Sequence, residues 1–195
     1  MNTDPRIVEA IARFDAENAK DPRQEVWNGE SYPRELLYAM RMTERLDAFE
    51  PRASNALRLA ARCQHIRRWE IPRSKYPMDR TGYRRWRSEL AAFHAAIAED
   101  ILVQCGNDVD TVQRVSDLVR KRRLKKDPEA QTLEDVACLV FLEHYFEEFA
   151  REHDREKVIE ILRKTWVKMS ERGREAALAL NLSPESRALV EEAID

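Results

Sequence analysis

Glycine is almost missing from this chain, and that restricts its fold more than any other feature. Only four occur in 195 residues, Gly29, Gly82, Gly106 and Gly173, and no two are close in sequence. A phosphate-cradling loop and a dinucleotide fingerprint both need clustered glycines, because the backbone must approach the ligand closely. All-β folds need many tight turns. Both are excluded, and an all-α fold with short connections remains. A charged fraction of 36% beside a hydrophobic fraction of 43% suits helices with solvated faces. The length suits one helical domain over residues 1–195, with 174–195 as a candidate helical appendage.

Apolar spacing and capping residues predict eight or nine helices in one compact all-α bundle. Thr3 or Asp4 caps the first, whose stripe is Ile7, Ile11 and Phe14. Residues 18–32 carry Pro22 and Gly29 and read as a loop. A second helix starts near Pro33, with Leu36, Leu37, Met40, Leu46 and Phe49 facing inward. The third runs from about Ala53 to Trp69. The fourth runs from the cap Thr81 to Gly106, and the fifth from Asp110 to about Leu124. Thr132 opens the sixth, with Asp135 in the place of a capping-box acid. Asp154 caps a seventh that ends at Gly173, and Ser183-Pro184 opens the last.

Cys63, Cys105 and Cys138 lie in apolar helical contexts. Their spacing fits no zinc motif, and three thiols make no disulfide framework. No apolar run approaches the ~20 residues of a membrane span. The N-terminal MNTDPRIVEA lacks the basic-then-apolar order of a signal peptide, so a cytoplasmic address is expected.

Charge is unevenly spread. Residues 1–50 carry a net −4, residues 51–126 a net +10 and residues 127–195 a net −8. Either an anionic ligand sits near the middle segment or the fold neutralises it internally. Nine basic side chains fall within residues 62–87, interleaved with Trp69, Tyr76, Tyr83 and Trp86. Guanidinium forks bind phosphate oxygens, and aromatic faces stack bases. Arg67, Arg68, Arg73, Lys75 and Trp69 are therefore the candidate substrate contacts. RKRRLKK at 120–126 reads as an exposed helix end.

His65 and His94 fall on or beside the apolar stripes of the third and fourth helices, and Asp135 leads one on the sixth. Imidazole plus carboxylate suits a divalent transition metal such as zinc, manganese or iron. Glu70 is the candidate general base, and Glu134 a carboxylate beside the metal ligand. His144 and His153 read as structural or solvated.

The strings QHIRRWEIPRSKYP, GYRRWR, QTLEDVACLVFLE and KTWVKMSERG, with NAKDP and LLYAMRM nearer the N-terminus, resemble the domain of unknown function DUF4202 over nearly the whole chain. LRLAARCQHIRRWEIP is also similar to the helix and loop around the dyad of the HD superfamily of metal-dependent phosphohydrolases. TLEDVACLVFLE is similar to the helix of that superfamily's later aspartate. The likeness implies His65, His94 and Asp135 as ligands. It departs at the dyad, which falls on Gln64-His65, and the second helix offers no histidine. The expected function is metal-dependent hydrolysis of a nucleotide or other small phosphorylated substrate, with no membrane partner. A nucleic-acid or nucleotide-binding module without catalysis, or a helical scaffold that binds a partner, are the alternatives.

Overall fold

A computed structural model describes residues 4–124 and 126–194. The chain divides into two compact units, residues 1–123 and 124–195. Both are built of α-helices, and one two-stranded hairpin is added in the first.

The first unit holds α1 (Pro5–Asn18), β1 (Gln24–Trp27), β2 (Glu30–Pro33), α2 (Arg34–Phe49), α3 (Asn55–Cys63), α4 (Arg80–Gln104) and α5 (Val109–Val119). Helix α3 packs against α1, α2 and α5, and α4 packs against α5 and α1. Phe14, Leu37, Met42, Leu46, Leu57, Leu59, Ile66, Leu102 and Leu118 are fully buried there. Side-chain oxygens fix where most of these helices begin. Asp4, Ser54, Asp79 and Asp108 each accept a backbone N–H from the first turn, which satisfies donors that a helix end otherwise leaves open. Thr3 lies outside the described residues.

The second unit holds α6 (Pro128–His144), α7 (Phe146–Glu152), α8 (Arg155–Lys168), α9 (Glu171–Leu178) and α10 (Pro184–Ile194). Helix α6 packs on α7, α8 and α9, and α10 packs on α8 and α7. Leu133, Leu139, Phe146, Val158, Leu162 and Val190 form its core. Asp127, Asp154 and Ser170 are its capping side chains.

Several boundaries differ from the sequence expectation. The stretch expected as a loop contains the β1–β2 hairpin, with Gln24 opposite Pro33 and Trp27 opposite Glu30. Its turn residues Asn28 and Gly29 have φ of 51° and 82°, the left-handed pair that a tight hairpin requires. Asp79, Asp108 and Asp127 cap α4, α5 and α6 in place of Thr81, Asp110 and Thr132. The seventh expected helix is two, because Ser170 starts a new one and Gly173 lies inside it. Helix α3 stops at Cys63, short of Trp69. Beyond it Arg67 takes a left-handed φ of 53°, and its N–H is held by the Asn18 side-chain oxygen at 3.1 Å.

The loop between α3 and α4 is seated on α4 at a close approach. A Cβ placed on Gly82 would lie 2.1 Å from the carbonyl oxygen of Pro77. Only a glycine admits that contact.

Candidate functional site

The residues of the QHIRRW turn meet α2 and α4 around a buried carboxylate. Glu35, in the first turn of α2, is 4% exposed. Its Oε1 accepts from Arg23 at 2.8 Å, and its Oε2 lies 3.5 Å from Nδ1 of His65. Asp21 holds this corner together. It accepts the backbone N–H of Glu35 at 3.1 Å and two bonds from the Arg23 side chain. Burial works against its charge, but the bonds from Arg23 prevail and keep the carboxyl below its ordinary value.

His65 stacks on Tyr38, with ring centroids 4.0 Å apart and planes within 12°. Gln64 donates to the Tyr38 hydroxyl at 3.2 Å. On the other edge of His65, the Arg68 guanidinium lies 3.3 Å from Nε2. A guanidinium only donates, so Nε2 accepts and Nδ1 carries the hydrogen toward Glu35. Burial, and then the charges of Arg68, Lys121, Arg87 and Arg23, push the imidazole well below its usual value, so it is neutral. Burial, helped by the charge of Asp21, pushes Glu35 upward against the pull of Arg68 and Arg23. Burial also lowers Arg68 itself, whose guanidinium lies 5.0 Å over the Trp86 ring.

His94, on α4, is 3% exposed, and its ring centroid is 6.0 Å from that of His65. Its Nδ1 donates to the carbonyl of Ile66 at 2.6 Å. That bond fixes the tautomer and leaves a lone pair on Nε2, which is buried and has no partner. Burial and the neighbouring His65 lower its pKa to about 3. Gln64 Oε1 is a second buried acceptor without a partner. Unmet acceptors gathered near a carboxylate and a guanidinium suit a ligand carrying both donor and acid groups, or a cation with its counter-anion.

The expected metal ligands divide differently. His65 and His94 adjoin in the first unit. Asp135 belongs to the second, where it joins α6 to the start of α9. Its Oδ1 accepts from Ser170 N at 2.8 Å and Gln131 Nε2 at 3.1 Å, and its Oδ2 accepts from Ser170 Oγ at 2.6 Å. Among the described residues no three His, Cys, Asp or Glu side chains stand close enough together to hold an ion.

The expected substrate contacts divide as well. Arg68 adjoins the histidines. Arg67 bonds Glu70 at 2.7 Å, and Glu70 thereby serves as its counter-charge in the turn. Arg73 donates to the carbonyls of Tyr76 and Pro77, and Lys75 donates to that of Glu70. Trp69 is half-buried in the same turn. Glu134 is buried on α6. Arg62 and Arg85 pair with Asp15 and Glu89. Much of the middle segment's positive charge is thus neutralised inside the first unit. The three cysteines are buried and form no disulfide.

The sequence reading passed over Glu35, Asp21, Asn18 and Tyr38. Glu35 had a signal. The fully buried Met42 and Leu46 share one face of α2 with Ala39, and continuing that face back by four residues reaches Glu35.

Among the described residues no helix is long and apolar enough to cross a membrane. No curated protein and no solved structure matches the chain. The model of the domain of unknown function DUF4202 matches residues 8–190, and the chain belongs to that family.

Proposed function

We propose that the protein hydrolyses a phosphate ester at the Glu35–His65–Arg68–His94 cluster, with a divalent transition-metal ion as cofactor. One observation carries the reading. His94 is a buried neutral imidazole whose Nδ1–H is held by a backbone carbonyl while Nε2 stays unpartnered. Metal-ligating histidines are oriented in this way by the atoms behind them. Glu35 is the nearest carboxylate to share the ion with His94, while His65, whose Nδ1–H faces Glu35, keeps Nε2 for proton transfer. In place of Asp135, Glu35 is then the carboxylate of the set. Such an ion, when bound, brings the pKa of a bound water close to neutrality.

The chain's own residues supply the rest. Arg68 stands over Trp86 beside His65, and its turn toward a phosphate oxygen leaves His65 Nε2 free. Nε2, kept unprotonated, then takes a proton from the attacking water as oxygen bonds to phosphorus and the ester P–O bond breaks. Glu35, facing Nδ1, stabilises the imidazolium that results. The leaving alkoxide takes a proton from solvent.

Release of inorganic phosphate from nucleoside and sugar phosphates, by protein stripped of metal and reloaded with manganese, zinc or iron, tests this. Reloaded protein should turn over. His94→Gln should lose on the order of 100-fold, the upper end of what changes around a metal ligand cost, with an unchanged circular dichroism spectrum. Arg68→Met should raise KM more than it lowers kcat. Absence of metal uptake together with absence of phosphate release, for every substrate, overturns the proposal.

A further inference from the structure

The basic segment is not wholly neutralised. Among the described residues, Arg80, Arg84 and Arg87 form no side-chain hydrogen bond or ion pair, in contrast to Arg62, Arg67, Arg73 and Arg85 around them. All three lie on α4 at positions i, i+4 and i+7. At 100° per residue they fall within about 60° of one another, and Ala91 and His94 continue the same face. Burial rises along it. Arg80 and Arg84 are exposed, Arg87 and Ala91 half-buried, and His94 buried. Arg87 is near enough to the cluster for its charge to act on both His65 and Arg68. The single acid between residues 80 and 94 is Glu89, on the opposite side of the helix, where Arg85 and Tyr76 engage it.

Helix stability does not account for these arginines. Asp79 caps α4 and no further acid lies in its first turn, where the helix dipole disfavours a cation such as Arg80 by roughly 0.3–1 kcal/mol. Three unpaired cations in one row, with no acid on their face to offset them, mark a surface kept for an anion. Its length decides which anion. Arg80 to Arg87 spans about 10 Å along the axis and Arg80 to His94 about 21 Å. A mononucleotide's phosphates cover only the buried end of such a row, whereas a phosphodiester chain matches all of it. Tyr83, 45% exposed beside Arg84, offers a face for a base.

We propose that the Arg80–Arg84–Arg87 face of α4 is a track for single-stranded nucleic acid, which delivers a strand end to the His94 cluster. The proposal rests on the preceding one for its chemistry and names the class of its substrate, but its binding step stands on the arginine row. Anisotropy of a 3′-labelled, 5′-phosphorylated oligothymidylate, titrated with full-length protein at several salt concentrations, tests it. Each phosphate contact contributes about 0.7 to the slope of log affinity against log salt for single strands. The double variant Arg80→Gln/Arg84→Gln should therefore flatten the slope by about 1.4. Arg85→Gln, on the other face, should leave it unchanged. Tyr83→Ala should weaken binding without changing the slope. No binding at low salt, an equal loss in Arg85→Gln, or displacement of the oligonucleotide by equimolar ATP each overturns the track. Persistent binding by protein that releases no phosphate would remove the hydrolytic reading and keep the track. Hydrolysis of mononucleotides without strand binding would do the reverse.

Discussion

Two buried polar clusters in this protein are built on opposite principles. Around Asp135 everything is answered. Three donors reach the carboxylate, Gln131 also donates to the Lys168 carbonyl, and Ser170 Oγ receives the N–H of Gly173. A Cβ on Gly173 would lie 2.6 Å from Asp135 Oδ1, so no space remains. Around His65 the groups are at odds. A guanidinium and two imidazoles share a half-buried corner with a carboxylate raised chiefly by its own burial, and two acceptors go unmet. Asp135 was expected among the ligands by residue type, yet its surroundings are those of a joint between helices. The contrast teaches that a buried polar residue is judged by what its partners leave unsatisfied.

The largest effect expected from this contrast is at Asp135. Replacing it with alanine strands three donors and the α6–α9 junction, for a loss on the order of 3–5 kcal/mol. Urea unfolding followed by circular dichroism would show it. A loss under about 1 kcal/mol would erase the distinction between the clusters.

The next effect is a dependence on pH. His94 has a native pKa of about 3 against 6.5 in the ordinary state. The unfolded chain therefore binds a proton that the native one refuses. Stability from this group is complete above pH 6.5 and falls as pH drops toward 3, by up to about 1.4 kcal/mol per unit. His65 acts in the same direction. Glu35 acts in the other, because its raised native pKa favours the folded state as pH falls toward 4.5. Urea midpoints should consequently drop between pH 7 and pH 5, and His94→Gln should flatten that drop. An unaltered slope in the variant would mean that the imidazole is not held neutral.

The smallest effect is at His65. Phenylalanine keeps the stack on Tyr38, Glu35 keeps Arg23, and Arg68 keeps the Trp86 face. The change in stability, read by thermal melting, should stay within about 1 kcal/mol, since site residues are commonly retained for reasons other than stability. A loss comparable to that of Asp135→Ala would make the two clusters alike.

The all-α class and the helix starts at Asp4-Pro5 and Ser183-Pro184 were legible because they are written in neighbouring residues. The hairpin was legible too, in the Asn28-Gly29 pair, but Pro22 and the polar surroundings pointed to loop. The pairing of His65 with His94 could be anticipated from two apolar stripes. Glu35 could not be separated from an ordinary first-turn acid, because the expected inner face mixed the fully buried Leu37 and Leu46 with the half-buried Leu36, Met40 and Phe49. The Asp135 joint depends on Ser170, 35 residues away, and no local pattern encodes such a distance.

The left-handed turn at Arg67 has a consequence in time. Its N–H is tied to Asn18, 49 residues earlier, and closing a loop of that size costs roughly 3 kcal/mol of chain entropy. The capped helices on either side form from local contacts and can precede it. The seating of His65 beside that turn thus depends on a long-range closure that the local helices do not provide by themselves.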